Sequence, residues 1–388
     1  MDVPYVDLAA EYRGLRDDID EAVAGVLASG HYVLGENVAA FEEEFARWVG
    51  TAECAAVGSG TDAIYLTLKA LGIGDGAEVI TVSHTAVNSA LAISKTGAVP
   101  VLVDIDPGNF CLNPELLEAA LTERTRALMP VHLYGHPADM DPVLEFASAH
   151  GLTVIEDCAQ SHGAEYKGRR AGTMGAAGCF SFYPTKNLGA CGDGGAVTTS
   201  DAALAAKIRS LANCGQGDER YHNIYRGEVS RLDELQAAIL RVKLKRLDEW
   251  TERRRAVAAF YREHLGGITA GRAATENVAT GGAAAGASGG GALMLPAEKE
   301  WARHVYHLYV IRSKKRDALR SFLADRSIQS LIHYPVPVHL QPAYADEQHA
   351  PLPETEKVVG EILSLPCFPE ITDEQLETVA AAVKAFFG

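Results

Sequence analysis

The sequence predicts an α/β fold, with a mainly parallel central sheet covered by helices and a smaller α+β domain at the carboxyl end. Two observations lead to this prediction. Between residues 54 and 199, short and continuously apolar runs alternate with amphipathic helical patterns, which is typical of parallel strands buried on both faces. Beyond a long helical pattern that begins near Ser230, shorter strand and helix patterns form a second group.

The larger part of the chain begins with helices and then alternates. An amino-terminal arm with a helix is predicted over residues 1–30, and an amphipathic helix over residues 38–49. Strands are predicted at 54–57, 78–82, 99–103, 127–131, 153–155, 179–182 and 196–199. Helical patterns lie between them, for example at 114–121 and 142–149. Ser230 and Asp233 fit a capping box, which predicts the start of one long helix toward Tyr261.

This long helix is expected to bridge two domains. The predicted organisation is an arm at 1–30, a large domain at 31–250 and a small domain at 251–388. In the small domain, strands are expected at 305–311 and 328–333 and helices at 316–324 and 373–387, the last with a capping box at Thr372 and Gln375. The Gly- and Ala-rich stretch 279–292 predicts a mobile surface loop, because it has too little apolar surface to offset its ordering entropy.

Composition excludes several function classes. With 51 acidic and 35 basic residues the net charge is −16, which argues against sequence-independent binding to nucleic acid or to an anionic membrane. The amino end lacks a signal-peptide pattern and no apolar run approaches membrane-spanning length, so a cytoplasmic protein is expected. The seven cysteines stand singly and the thirteen histidines make no ligand spacing. Buried thiols are therefore expected rather than disulfides or a metal site.

The chemistry is organised around a lysine on a tight turn. The apolar run at 179–182 ends at Pro184 and Thr185, which present Lys186 ahead of a glycine-rich tail. Burial lowers the pKa of an amine and makes it a nucleophile toward carbonyl groups. An isolated lysine in such a turn is more often a surface residue, so its partners elsewhere in the chain decide between the two interpretations.

A carboxylate and an anion site supply those partners. Asp157 follows the β-branched run 153–155, at the carboxyl end of a predicted strand, where open α/β sheets bind ligands. Pyridoxal phosphate (PLP) needs a lysine for its Schiff base and an acid for its pyridinium nitrogen, which favours Asp157 as ring partner over a helix cap. Gly58, Ser59, Gly60 and Thr61 open a helix, so their N–H groups and hydroxyls predict a phosphate site. The alternative there is a Ser59/Asp62 capping box.

Six stretches of the chain, in order, resemble the sugar-nucleotide aminotransferases of the DegT/DnrJ/EryC1/StrS family, which have the PLP-dependent transferase fold type I. They are SGTDA (59–63), VHLYG (131–135), EDCAQ (156–160), FSFYPTKN (180–187), SRLDELQAA (230–238) and HYP (333–335). The resemblance implies transfer of an amino group from glutamate or glutamine to a nucleotide-linked keto-6-deoxysugar, with pyridoxamine phosphate as the half-way form of the cofactor. It also implies a homodimer with shared active sites.

The resemblance assigns roles to matching residues. Lys186 would form the Schiff base with PLP and shuttle the proton. Gln160 would reach the phenolic side of the ring, although an exposed turn residue is the alternative. Ser181, Thr61 and the Gly60 backbone would bind the phosphate. Nucleotide contacts are expected from Arg226 and Tyr334, each of which is otherwise a surface residue.

Two positions depart from the family pattern. Ala86 stands where many members carry an aromatic residue that stacks on the ring. His84 is a candidate substitute, with a buried hydrogen-bonded histidine as the alternative. Val229 stands where members usually carry an asparagine that reaches the phosphate across the dimer interface, and Arg231 or Arg226 is a candidate replacement.

Three functions remain open at this stage. The stretches SHTAV (83–87) and VHLYGHPADM (131–140) most resemble members that aminate C-3 of a dTDP-linked 6-deoxysugar, as in antibiotic sugar pathways, while C-4 and cyclitol aminotransferases are alternatives. A PLP-dependent sugar dehydratase or deoxygenase would carry a histidine in place of Lys186, so the lysine argues against it. A PLP-binding regulatory protein without turnover is the remaining alternative, suggested by Val229 and Ala86 alone.

Overall fold

The computed structural model describes residues 1–219, 221–269, 293–346 and 349–388. The predicted loop at 279–292 lies outside these residues. Within them, no helix is both long and apolar enough to cross a lipid bilayer.

The described elements follow the predicted alternation of strands and helices. The helices are α1 (Leu8–Ser29), α2 (Glu36–Val49), α3 (Gly60–Ala70), α4 (Val87–Lys95), α5 (Leu117–Ala120), α6 (Met140–His150), α7 (Ala202–Ala212), α8 (Glu234–Leu244), α9 (Leu247–Thr269), α10 (Arg316–Ala324), α11 (Pro353–Val359) and α12 (Asp373–Phe387). The strands are β1 (Glu53–Val57), β2 (Glu78–Val82), β3 (Val99–Val103), β4 (Thr125–Leu128), β5 (Thr153–Asp157), β6 (Glu165–Tyr166), β7 (Arg169–Arg170), β8 (Ala177–Ser181), β9 (Gly195–Thr199), β10 (Ala302–Arg303), β11 (Tyr309–Arg312) and β12 (Ile362–Leu365).

The central sheet has seven strands in the order β1-β9-β8-β5-β4-β2-β3. The neighbours β8, β5, β4, β2 and β3 run parallel, and β9 is antiparallel to both β8 and β1. This confirms the predicted mainly parallel sheet. The carboxyl ends of β5 and β8, which carry Asp157 and Ser181, are neighbours at one edge of the sheet because β5 and β8 pair in parallel.

Side-chain alternation explains why helices cover both faces of the sheet. In β1, Ala55 and Val57 pack with α3 and α7 on one face, while Cys54 and Ala56 pack with α2 and α8 on the other. Both sets are buried, which requires apolar residues at every position of the strand. The continuous apolar runs in the sequence therefore reflect a sheet buried on both sides.

A separate apolar core lies at the carboxyl end of the chain. There β11 and β12 form a two-stranded antiparallel sheet that packs with α9, α10 and α12. The predicted strand at 328–333 is wrong: Ile328 bridges to Val3 and Leu331 to Ser364, so the segment pairs with two different partners and forms no continuous ladder. The predicted domain boundaries stay a prediction.

The predicted single long helix is two helices, α8 and α9, which are interrupted between Leu244 and Leu247. Its predicted capping box is also wrong. Asp233 is the N-cap of α8 but makes no side-chain cap bond, and the Ser230 hydroxyl donates to Asp62 at 2.9 Å instead. The second predicted capping box, Thr372 with Gln375 at the start of α12, is confirmed.

The cysteines divide into two groups. Five are buried, at positions 54, 111, 158, 179 and 367, as predicted. Cys191 and Cys214 are exposed, so the expectation of a buried thiol is wrong for these two residues. Both lie in irregular segments, where no strand pattern supported the expectation.

Candidate active site

A cavity of about 560 Å³ opens at the carboxyl ends of β5 and β8, beside the start of α3. It brings together most of the residues singled out from the sequence: Gly60, Thr61, Asp157, Gln160, Ser181, Lys186 and Tyr334. These residues come from four separate stretches of the chain. Ligand binding at this edge is what the topology of a mainly parallel sheet favours.

Lys186 lies on a compact turn after β8. Its backbone N–H donates to the Tyr183 carbonyl at 2.8 Å. The turn closes tightly enough that a Cβ on Gly189 would stand 2.2 Å from the Pro184 carbonyl oxygen, so glycine is required there. The residue keeps some exposure to the cavity, but its amine is enclosed by protein. Burial lowers the pKa of Lys186 from 10.5 to about 8, and the negative charge of Asp157 limits the fall.

Asp157 is held in a fixed orientation at the end of β5. Its Oδ2 accepts a hydrogen bond from the Ser89 hydroxyl at 2.7 Å, and its Oδ1 accepts one from the Ala159 N–H at 3.1 Å. Since the Ser89 proton is committed to Asp157, the Thr85 hydroxyl, 3.0 Å away, must donate to Ser89. Two hydroxyls in series thus orient the carboxylate at the cavity wall.

The start of α3 offers an anion site. Ser59 is the N-cap, and its Oγ accepts from the Asp62 N–H at 3.1 Å. The Asp62 carboxylate does not return the bond, since it accepts from Ser230 and pairs with Lys95 at 3.4 Å. The capping box is therefore only half formed. Among the hydrogen bonds of the described residues, none uses the N–H groups of Gly60 and Thr61 at the first helical turn.

Ser181 and Thr61 add hydroxyls to this anion site. A Cβ on Gly60 would stand 2.5 Å from the Ser181 Cβ, so only glycine lets the helix start approach the end of β8 so closely. Ser181 lines the cavity while Phe180 and Phe182 are fully buried, as strand alternation predicted. The Thr61 Oγ1 accepts from the Asn88 Nδ2 at 2.9 Å, which leaves the hydroxyl proton of Thr61 for a ligand.

Gln160 and Tyr334 form a hydrogen-bonded pair in the wall of the cavity. The Gln160 Nε2 donates to the Tyr334 hydroxyl at 2.9 Å, and its Oε1 accepts from the Tyr134 N–H at 2.8 Å. Burial raises the pKa of Tyr334 to about 12, and the charge of Asp157 adds to the rise. Tyr334 therefore lies beside the residues predicted to hold the ring, and its contact with the nucleotide stays a prediction.

The structure does not bring His84 to the cavity. Its ring packs against Phe110 and Tyr134, and Nε2 lies 2.7 Å from the Tyr134 hydroxyl. Because that hydroxyl donates to the His333 carbonyl, the His84 Nε2 must be the donor. Burial lowers the pKa of His84 to about 3, so the ring is neutral. The structure favours the buried hydrogen-bonded histidine, and Ala86 lines the cavity.

The residues expected to bind across an interface lie outside the cavity of their own chain. Val229 is 70% exposed and Arg226 is also exposed. The Arg231 Nη1 donates to the Asn213 Oδ1 at 2.8 Å. One of the two arginines proposed to replace the usual asparagine is therefore hydrogen-bonded within its own chain. Neither arginine lines the described cavity.

A second group of titratable residues lies behind Asp157. His132, Glu156 and Cys158 place ligand atoms within 4.8 Å of one another. The His132 Nδ1 accepts from the Ala138 N–H, so its Nε2 donates to Glu156 at 3.0 Å. Glu156 also accepts from three backbone N–H groups. The ring nitrogens and carboxylate oxygens of this group are thus satisfied by the protein itself.

Sequence reasoning missed Ser89 and Asn88, which orient Asp157 and Thr61. The signal that could have found them is local. Ser89 lies in the first turn of α4 and Thr85 lies just before its N-cap, so one short stretch carries both hydroxyls.

Comparison with known proteins supports one family. The model of the DegT/DnrJ/EryC1/StrS aminotransferase family matches residues 14–384. The chain belongs to this family. It is 48% identical to a dTDP-3-amino-3,4,6-trideoxy-α-D-glucose transaminase of Streptomyces venezuelae, over 98% of this chain and 95% of the relative. It is 47% identical to the erythromycin biosynthesis sensory transduction protein EryC1 of Saccharopolyspora erythraea, over 99% and 100%.

A solved structure extends the comparison to the fold. The crystal structure of DesV from S. venezuelae, in complex with a reaction intermediate, superposes with a TM-score of 0.91 at 46% identity. It covers 99% of this chain and 98% of DesV. The predictions of the family, of the fold and of a PLP-dependent aminotransferase are confirmed.

The residues around the cavity fit PLP. The cofactor is an aldehyde with a pyridinium nitrogen and a phosphate, and it needs an amine, a carboxylate and a set of anion donors. Lys186 supplies an amine whose pKa is lowered to about 8. Asp157 supplies a carboxylate that two hydrogen bonds orient. The start of α3, with Thr61 and Ser181, supplies N–H and O–H donors, and Gly60 allows the close approach between α3 and Ser181.

Proposed function

We propose that the chain moves an amino group from glutamate or glutamine to the C-3 keto group of a dTDP-linked 6-deoxysugar. The observation that carries this proposal is the placement of Lys186, Asp157 and the start of α3 around one cavity. That cavity is large enough to admit a cofactor and part of a second molecule.

Each residue has a task in such a transfer. When bound, PLP supplies an electron sink for the pair released as a substrate C–H bond breaks. Asp157 holds the proton on the ring nitrogen, and Ser89 fixes the direction of its carboxylate. The Lys186 amine has a pKa near 8. It would take the proton from the substrate carbon and return it to the cofactor carbon that carries the aldehyde. Thr61 and Ser181 would hold the phosphate through their hydroxyl groups.

The substrate class rests on the relatives. One of them is named for a dTDP-3-amino-3,4,6-trideoxy sugar, and another for a dTDP-3-amino-3,6-dideoxy sugar. Both names specify amination at C-3, which supports the same position here. Amination at C-4 or of a cyclitol ketone is the alternative within the family.

Regiochemistry is tested by product analysis. The PLP-loaded protein is incubated with glutamate or glutamine and a panel of 3-keto and 4-keto dTDP-sugars, and the products are assigned by NMR. We expect a 3-amino sugar from the 3-keto substrates. Formation of only a 4-amino sugar would contradict the proposal of C-3.

We further propose a homodimer in which each site is completed by the partner. The segment that carries Val229 also exposes Ile224 and Tyr225, at 52% and 40%, and this grouping of exposed apolar side chains supports an interface. Arg226 lies on the same segment and is proposed to reach the site of the other copy. Light scattering coupled to size-exclusion chromatography checks the dimer, and a monomeric mass at micromolar concentration would contradict it.

A regulatory role is the second candidate, because one close relative carries the name of a sensory transduction protein. The two roles differ in one spectroscopic property. Addition of glutamate to the PLP-loaded protein converts the absorbance of lysine-bound PLP to that of pyridoxamine phosphate if the protein is an aminotransferase. A spectrum that does not change when glutamate or glutamine is added favours the regulatory role.

A further inference from the structure

Ser230 connects the two ends of the turn that opens α3. Its Oγ accepts a hydrogen bond from the Gly58 N–H at 3.0 Å and donates one to the Asp62 Oδ2 at 2.9 Å. Ser230 is only 4% exposed, and it lies 168 residues from Asp62 along the chain. One hydroxyl group from the segment before α8 thus spans the turn 58–62, which contains the N–H groups predicted to bind the phosphate.

Asp62 places a negative charge in the first turn of α3, close to the position expected for the phosphate. A carboxylate that faced the same space would repel the phosphate, because like charges repel. Gly60 and Thr61 line the described cavity, whereas Asp62 does not. The Asp62 carboxylate instead contacts the Ser230 hydroxyl and, at 3.4 Å, the Lys95 Nζ. These two contacts hold the negative charge of Asp62 away from the cavity.

The segment that carries Ser230 is itself fixed to the fold at two points. The Ser230 N–H donates to the Ala212 carbonyl, at the end of α7, at 2.9 Å. Two residues before it, the Glu228 Oε1 accepts from the Tyr65 hydroxyl at 2.8 Å and from the Lys69 Nζ at 3.3 Å. Tyr65 and Lys69 both lie on α3. The segment is therefore attached to the helix whose first turn Ser230 contacts.

We propose that Ser230 is a positioning residue for the phosphate of PLP. By accepting from Gly58 and donating to Asp62, its hydroxyl fixes the turn that presents Gly60 and Thr61 to the cavity. Donors that are already in place bind an anion more tightly, because the turn need not be ordered when the ligand binds. Ser230 does not line the described cavity, so it acts through the turn. The proposal rests on the proposed function only for the presence of PLP.

The test separates binding of the phosphate from binding of the ring. PLP and pyridoxal share the ring and the aldehyde, but pyridoxal has no phosphate. Titration of the apoprotein, followed by the absorbance of the lysine-bound form, gives an apparent Kd for each ligand. A residue that only supports the fold would change both constants or neither, whereas a positioning residue for the phosphate changes the Kd of PLP alone.

Four proteins are compared: the wild type, S230A, S230T and the control T199V. Thr199, at the end of β9, is 2% exposed and makes the same pair of contacts elsewhere in the fold. Its Oγ1 accepts from the Asp201 N–H at 3.1 Å and donates to the Ala176 carbonyl at 2.8 Å. Thr199 does not line the described cavity. T199V therefore removes a buried bridging hydroxyl without touching the turn before α3.

We expect S230A to raise the apparent Kd of PLP by about 10-fold, as weakening of one hydrogen bond to a charged group implies. The Kd of pyridoxal should stay at the wild-type value. S230T keeps the hydroxyl and should bind PLP more tightly than S230A, and T199V should match the wild type for both ligands. An unchanged Kd of PLP in a folded S230A, or equal losses for PLP and pyridoxal, overturns the proposal.

If S230A does not fold, hydrogen exchange of the wild type decides. Exchange is read residue by residue, in the apoprotein and after addition of PLP or pyridoxal. The Gly58 N–H should exchange slowly in the apoprotein, because Ser230 accepts it. The Gly60 and Thr61 N–H groups should slow only when PLP is added, and pyridoxal should leave them unchanged. Fast exchange at Gly58 in the apoprotein overturns the proposal.

The outcome is separable from that of the sugar assay, since neither PLP nor pyridoxal carries the sugar or the amino donor. A loss of affinity in S230A that is confined to PLP supports the positioning role even if no dTDP-sugar is aminated. Conversely, if the wild type aminates a dTDP-sugar and S230A binds PLP as the wild type does, the proposed function is supported and the role of Ser230 is rejected.

Discussion

Glu156 and Asp157 are adjacent carboxylates at the end of β5, yet their surroundings differ completely. Their side chains lie on opposite faces of the strand, as alternation requires. Glu156 accepts four hydrogen bonds, from His132 and from the N–H groups of Gly172, Met174 and Gly175. From the residues that the structure describes, Asp157 accepts two, and it lines the cavity. The comparison shows that a carboxylate becomes available for chemistry when the protein orients it but leaves part of its hydrogen-bonding capacity unused.

The pKa of Glu156 reflects the hydrogen bonds that surround its buried carboxylate. Burial acts to raise that pKa, but the hydrogen bonds from His132 and from backbone N–H groups outweigh burial and lower it below its usual value. A lowered pKa means that the carboxylate stabilises the fold above its unfolded pKa. This contribution is lost as the pH falls through the folded value. Glu156 is therefore a structural anion, and Asp157 is the one that faces the cavity.

Loss of Lys186, which lines the same cavity as Asp157, should have the largest effect. K186A removes both the covalent attachment and the proton carrier, and we expect the transamination rate to fall by at least about 10²- to 10⁴-fold. The absorbance of lysine-bound PLP should vanish, and borohydride should no longer fix the cofactor to the protein by mass spectrometry. Lys314 is exposed, and K314A serves as the control with unchanged spectrum and rate. Borohydride labelling of K186A would contradict the assignment.

Paired substitutions at the two carboxylates test the comparison directly. D157N should reduce kcat by about 10²- to 10³-fold, the range for removal of a preorganised electrostatic contact, while Tm changes little. E156Q leaves donors of a buried network unsatisfied and should lower the free energy of unfolding by about 3–5 kcal/mol. Urea unfolding and steady-state kinetics measure both quantities. Reversed results, with E156Q inactive but stable and D157N unfolded, would refute the assigned roles.

The same pair predicts a difference in acid stability. The wild type should lose stability as the pH falls below 4.5, the unfolded pKa of a glutamate, because Glu156 takes up a proton only on unfolding there. E156Q should show a weaker pH dependence in this range. Urea unfolding at several pH values gives the slopes, and parallel slopes for the two proteins would contradict the role of Glu156.

The close approach of Gly60 to Ser181, at the predicted phosphate site, predicts a smaller effect on stability and on PLP affinity. G60A places a Cβ against Ser181, and overpacking of this kind lowers stability by about 1–3 kcal/mol. The apparent Kd for PLP, from spectral titration of the apoprotein, should rise as well. Gly25 is the control: it lies in α1, and a Cβ added there would have no atom within 4 Å, so G25A should be neutral or slightly stabilising. Equal PLP affinity in G60A and wild type would argue against a phosphate at this turn.

The smallest expected effect is a shift of a pH midpoint. The rate at which apoprotein captures PLP should rise with pH and level off above about 8, the lowered pKa of Lys186, rather than near 10.5. Between these values the unfolded chain binds more protons at this lysine, so its contribution to stability rises with pH. D157N removes a charge that raises the pKa of Lys186 and should move the midpoint below that of the wild type, whereas E156Q should leave it unchanged. Stopped-flow absorbance measures the rate, and an equal shift in both variants would contradict the comparison.

Much of the fold and of the site could be predicted from local patterns. The strands, the glycine-rich helix start, Asp157 at a strand end and Lys186 on a turn each depend on a few neighbouring residues. Strand alternation placed Ser181 opposite Phe180 and Phe182, because side chains of a strand point to alternating faces. Parallel topology then brings the ends of separate strands to one edge, so the sequence alone determined the neighbourhood of the cofactor.

Only the tertiary structure decided which side chains enter that neighbourhood. His84 and Arg254 show this in opposite directions: a histidine expected in the cavity packs behind its wall, and an arginine in a charge-rich helix lines the cavity instead. Ser230 likewise bonds to Asp62, 168 residues away, rather than to its own helix. Local pattern cannot decide these outcomes, because each depends on which distant donor or acceptor the folded chain brings within hydrogen-bonding distance.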